Sequence, residues 1–125
     1  MNENEQNKKI AIVACSGAAN TGQTANEVTV DLCKKSDNYS MVCLVALTLS
    51  HKSSLEKLQN TGKIVIIDGC AVKCASEIVK KYGGKKTDLE IQIMEDYGIK
   101  KTSRPIFNKD DVKRIARDID RKINR

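Results

Sequence analysis

"KIVIIDG", residues 63–69, places four apolar residues in a row, Ile64 to Ile67, three of them branched isoleucine. A strand with one wet face would alternate polar and apolar residues; a continuous run is expected where both faces are covered, as in a parallel sheet under helices. The run ends in Asp68-Gly69, a tight-turn pair, and "CAVKCASEIVKKYGG" (70–84) reads as the helix that follows, stopped by Gly83-Gly84. The same grammar appears upstream. "KKIAIVAC" (8–15) is a second continuous run, followed by a Gly/Asn/Thr turn. "GQTANEVTVDLCKK" (22–35) then puts Ala25, Val28, Leu32 and Cys33 at helical spacing, and Asp37-Asn38 breaks it.

The remaining segments fill in the architecture. "YSMVCLVALTL" (39–49) is a further apolar run, and its pattern predicts a long strand over 40–48. "KSSLEKLQNTG" (52–62) is a short helix with Leu55 and Leu58 inward. "DLEIQIM" (88–94) alternates, with Leu89, Ile91 and Ile93 on one face and Glu90, Gln92 and Met94 on the other, which predicts a half-exposed edge strand. Residues 104–107 are an extended linker. Asn108 or Asp110 caps a last helix whose inward stripe is Val112, Ile115, Ala116, Ile119 and Ile123. Strands alternating with helices predict an α/β fold: a three-layer, Rossmann-like, mostly parallel four-stranded sheet in the order 2-1-3-4, with helices on both faces. Residues 1–7 are expected as a disordered tail and 8–125 as a single domain. Aromatics are only 3% of the 125 residues, so the core must rest on Ile, Val, Leu and Ala.

The net charge is +6, from 22 basic and 16 acidic residues, with much of the excess at Lys80, Lys81, Lys85 and Lys86 and from Lys109 to Arg125. There is no Trp and only one Phe, and basic residues do not interleave with aromatics as they do where bases stack, so a nucleic-acid partner is not expected. No apolar run is long enough for a bilayer, and no membrane partner is expected. The polar opening "MNENEQNKK" does not have the form of a secretory leader, which predicts a cytoplasmic protein. In that compartment the five cysteines, Cys15, Cys33, Cys43, Cys70 and Cys74, are expected as metal ligands or reactive thiols rather than as a disulfide framework.

Open α/β sheets place their sites outside the carboxyl ends of the strands, where neighbouring connections diverge. Between the first and third strands that point is ringed by Cys15 and Cys70. Were residues 71–83 helical, Cys70 and Cys74 would share one face of its first turn, with Cβ atoms about 5–6 Å apart. That is long for a disulfide and reachable for a tetrahedral zinc site. A helix N-terminus there would favour thiolate. Cys33 reads as a small core residue. Cys43, mid-strand in a strand over 40–48, would lie more than about 10 Å from the edge, and joins the others only if that strand ends early.

Other chemistries compete for the same residues. "CSGAANTGQT" (15–24) has the glycine spacing of a Walker A loop, but Gln23 stands where the Lys should be and supplies no charge for phosphates. Thr21 stands where a tyrosine-phosphatase loop needs Arg, and no Ser-His-Asp set is evident. The loop amides could still bind an anion. A thiol-redox enzyme would use Cys70 as nucleophile, with Cys74 or Cys15 resolving it. His51, the only histidine, is an exposed loop residue or a replacement ligand; Asp68 is a turn residue or a support for Cys70.

"CSGAANTGQ", "MVCLVAL" and "IDGCAVKCA", in this order, resemble the DGC-domain family, named for its Asp-Gly-Cys motif, and "DYGIKKTSRPIFNKDDV" resembles that family's C-terminal part. The resemblance covers nearly all of the chain after residue 8. It implies that Cys15, Cys43, Cys70 and Cys74 are four metal ligands, that zinc (Zn2+) is the metal, and that Cys33 is not a ligand. An iron–sulfur cluster is the alternative for the same four thiolates. The implied role is structural, or metal and thiol sensing or delivery; the resemblance carries no reaction.

Overall fold

The computed structural model describes residues 9–125, so the expected tail over residues 1–7 lies outside the described residues. The chain forms β1 (Ile10–Ala14), α1 (Asn20–Lys35), β2 (Tyr39–Val42), α2 (Leu44–Thr48), α3 (Lys52–Gln59), β3 (Lys63–Asp68), α4 (Cys74–Ile78, running on as a π turn over Val79–Gly83), β4 (Leu89–Gln92), α5 (Ile93–Tyr97) and α6 (Lys109–Ile123). The sheet has four strands in the expected order, β2-β1-β3-β4, with every pairing parallel. Two apolar layers sandwich it. Ile12, Val65, Ile67 and Ile91 pack under α1, α5 and α6 on one face. Ala11, Val13, Ile64 and Ile66 pack under α2, α3 and α4 on the other. Successive residues of β1 and β3 thus feed opposite layers, which is why their runs show no polar alternation.

The last helix follows its sequence closely. All five residues of its stripe are buried, and of the two candidate caps Asn108 does the work, its Oδ1 accepting from Asp111 N at 3.0 Å. Asp110 and Asp111 occupy its first turn and Arg121 and Lys122 its last, the sense that complements the helix dipole.

Three expected boundaries are corrected, each for a physical reason. The strand expected over 40–48 stops at Val42. It is an edge strand, registered to β1 from Ile10↔Tyr39 to Val13↔Val42, and β1 itself ends at Ala14, so further residues would have no ladder to join. Leu44–Thr48 turns into α2 instead, burying Leu47 and leaving Val45 and Leu49 exposed. The helix expected from Cys70 begins at Cys74: residues 70–73 form a turn, closed by Lys73 N donating to Cys70 O at 3.1 Å, with Lys73 in the left-handed region (φ 55°). The fourth strand stops at Gln92, where Asp96 Oδ2 accepts from Gln92 N at 2.8 Å and α5 begins with the buried Ile93.

Candidate functional site

The carboxyl ends of β1 and β3 are joined by backbone contact. Gly22, in the first turn of α1, leaves no room for a side chain: a Cβ there would lie 2.7 Å from Gly17 N. A Cβ on Gly69 would lie 2.7 Å from Gly22 N and from Thr21 C. Only glycine permits this stacking of loop, helix start and turn. It draws together the segment that carries Cys15 and the segment that carries Cys70. The backbone N–H of Gly17 donates to Cys15 Sγ at 3.4 Å.

Asp68 shapes the next step. Its carboxylate, 2% exposed at the end of β3, accepts from Ala75 N (2.7 Å), Ser76 N (3.1 Å) and Ser76 Oγ (2.6 Å). One buried acid thereby satisfies the start of α4 from outside the helix, and the intervening turn, Gly69 to Lys73, is left to present Cys70 and then Cys74. Both oxygens of Asp68 are committed to this, so the acid is a helix anchor rather than a free ligand.

The Cys74 thiol senses its neighbours. Partial burial pushes its pKa up, and the charges of Cys15, Asp68 and Cys70 push in the same direction. The segment that carries Cys15 and the turn that carries Cys70 and Cys74 thus lie side by side across the crevice between β1 and β3. The thiolate-favouring helix terminus expected here does not materialise: Cys70 lies outside any helix, and at Cys74, which heads α4, burial and neighbouring charges raise the pKa. Cys43 arrives by a different route. The early end of β2 leaves it as the residue before α2, on the same edge and beside the end of β1, where it and Ser16 line a cleft of about 260 Å³. It is exposed and is not among the charges felt at Cys74. Among the described residues, no three His, Cys, Asp or Glu side chains stand close enough together to hold a metal ion. What the edge offers is a donor set: four thiols free of disulfides, two of them exposed, on loop and helix-start positions. Soft sulfur ligands of this kind suit zinc or an iron–sulfur cluster, and the residues fit such a group in chemistry.

The other candidates fall away from this edge. Cys33 packs against the core under α1; burial raises its pKa, offset in part by the Met41 amide and by Lys57. His51 precedes α3, exposed, with its Nδ1 3.2 Å from Ser53 Oγ. Gln23, at the Lys position of the Walker-like spacing, donates through Nε2 to Gly17 O (2.9 Å) and Ser16 O (3.4 Å), so it ties the loop to its own helix.

Two residues at this edge escaped the reading of the sequence. Asn20 binds a segment eighty residues away: its Nδ2 donates to Lys100 O at 2.9 Å, and its Oδ1 accepts from Thr102 N at 2.6 Å. Lys101, between those two, donates from Nζ to Cys70 Sγ at 3.4 Å. No local pattern pairs residue 20 with residue 102; the only signal was an Asn at a helix start whose side chain turns out not to cap it.

A family model described as the DGC domain matches residues 11–119 of the chain. No curated protein and no solved structure matches it.

Proposed function

The chain belongs to the DGC-domain family, and from that premise we propose that it is a metal-binding protein in which Cys15, Cys43, Cys70 and Cys74 hold one zinc ion at the carboxyl edge of the sheet. The observation that supports the reading most is the backbone contact of Gly22 with Gly17 and with Gly69, which sets the segments of Cys15 and Cys70 side by side although they follow different strands. Bound there, zinc would act as a cross-link between four chain segments. The chain's own residues do the preparation. Gly22 and Gly69 bring two cysteine segments into backbone contact, Asp68 fixes where α4 starts, and the short α2 sets Cys43 on the same edge. Cys43 must swing inward to complete the set, and its exposed position before a five-residue helix leaves it free to do so. The role is structural, or one of sensing or delivering metal, in a reducing, cytoplasmic setting where thiols persist. Among the described residues no helix is long and apolar enough to cross a membrane.

Elemental analysis and a UV–visible spectrum on anaerobically prepared protein test this. The expected result is colourless protein with about one zinc per chain, lost in Cys70→Ser. Iron with visible absorbance would replace zinc by a cluster on the same thiolates. Metal-free protein with one thiol reacting fast near neutral pH would overturn the metal reading in favour of a thiol enzyme using Cys70 with Cys74 or Cys15.

A further inference from the structure

Lys101 reaches Cys70 by construction rather than by the wandering of a long side chain. Its flanking residues are both pinned to Asn20: Lys100 through its carbonyl at 2.9 Å, Thr102 through its amide at 2.6 Å, and Thr102 again through its carbonyl, which accepts from Asn20 N at 3.4 Å. Asn20 opens α1, five positions after Cys15 and two before Gly22, whose backbone meets Gly69. The clamp therefore aims the Lys101 ammonium at the cysteine edge, and its Nζ lies 3.4 Å from Cys70 Sγ. The ion pairs of the described residues are Arg114–Asp111, Arg121–Asp118 and Lys122–Asp118; Lys101 takes part in none of them.

Four thiolates carry more negative charge than a divalent cation cancels, so a loaded site is an anion. An ammonium bonded to one of its sulfurs offsets part of that charge, and charge-assisted hydrogen bonds are the stronger kind. We propose that Lys101 is a positioning residue of the metal site: a counter-charge on Cys70 that raises affinity for the thiolate-bound cation, with Asn20 as the clamp that aims it. This rests on the four-cysteine reading above. It adds what that reading lacks, a part for the "GIKKTSRP" segment, which carries none of the ligands.

The test is zinc affinity of the full chain, measured by competition with a chromophoric chelator under reducing conditions at low and high salt. Groups bonded to metal ligands typically change affinity by about 10–100-fold when replaced. Lys101→Gln is expected to weaken zinc binding by about tenfold at low salt, less at high salt because the ammonium is exposed. Lys101→Arg keeps the charge and should stay within about threefold of wild type. Lys100→Gln removes the same charge one residue away while leaving its clamped carbonyl in place, and should change affinity by no more than about twofold. Asn20→Ala, which leaves every charge in place, should weaken binding in the same direction as Lys101→Gln. If wild type binds zinc and Lys101→Gln binds it no more weakly than Lys100→Gln, the role of Lys101 is overturned while the four-cysteine site stands. If wild type binds no zinc, the site itself is overturned and this inference with it.

Discussion

The two edges of the sheet are held together by different means. At the amino edge the joints are side-chain hydrogen bonds: Tyr39 OH donates to Asp120 Oδ1, Asn124 Nδ2 donates to Tyr39 OH at 3.2 Å, Thr61 Oγ1 donates to Lys9 O at 2.7 Å, and Lys63 Nζ donates to Ile123 O at 3.2 Å. This edge also has the larger opening, a cavity of about 530 Å³ lined by Tyr39, Lys63, Asp120 and Arg125 among others. At the carboxyl edge the Asn20 clamp adds side-chain bonds, but the ends of β1 and β3 themselves are joined by backbone packing at Gly22 and Gly69 and one buried carboxylate, while the thiols are left without disulfide partners. The contrast shows that cavity size and chemistry do not coincide here. The roomier edge is occupied with its own polar bonds; the tighter one keeps its sulfurs in reserve.

Substitutions can break this contrast, and the largest effect is expected where backbone meets backbone. Gly69→Ala puts a Cβ 2.7 Å from two backbone atoms that no rotamer change can move, and should cost about 3 kcal/mol or more in denaturant unfolding. A stability within about 0.5 kcal/mol of wild type would mean that the two loops are not joined as described. Asp68→Ala comes next. It strands Ala75 N and Ser76 N at a buried helix start, and about 2–3 kcal/mol should be lost, with Asp68→Asn losing less because one acceptor survives. At the amino edge the effects are smaller and depend on pH. Burial, and then the bond to Asp120, raise the pKa of Tyr39 from the usual 10 to about 12. In the unfolded chain the phenol ionises first, so its contribution is whole below pH 10 and disappears as pH rises from 10 toward 12. Tyr97, whose OH donates to Asp118, is shifted in the same direction and adds to the fall. Urea midpoints should therefore drop over that interval, and Tyr39→Phe should flatten part of the drop while losing about 1 kcal/mol at neutral pH. An unchanged profile in Tyr39→Phe would remove Tyr39 from the account of this edge.

What could be read from the residues was whatever depends on local pattern. The unbroken apolar runs of Ile10–Ala14 and Ile64–Ile67 announced two-faced burial, and the stripe from Val112 to Ile123 announced the last helix and its direction. With those in hand the sheet order followed, and with it the placing of the Cys15 and Cys70 segments at one carboxyl edge. The boundaries that went astray were set by side-chain and strand partners that no apolar periodicity reports. Residues 44–48 are apolar enough for a strand, but the end of β1 removes the ladder they would need. The turn at 70–73 exists because Asp68 binds two amides beyond it, and nothing within "CAVKCASEI" announces that. The approach of Lys101 to Cys70 was hidden because it depends on a clamp at Asn20, eighty residues away.

That clamp has a consequence in time. Its hydrogen bonds join residues 80 to 82 positions apart, across three of the four strands in chain order. Contacts of such separation close large loops and are costly to form early in folding. A nascent chain that has already made all four cysteines still lacks Lys101, which must be synthesised and then docked. Under the zinc site and the Lys101 counter-charge proposed above, uptake at full affinity would be tied to the arrival of the chain's last quarter, and a truncated or half-folded copy would hold the ion more loosely than a finished one.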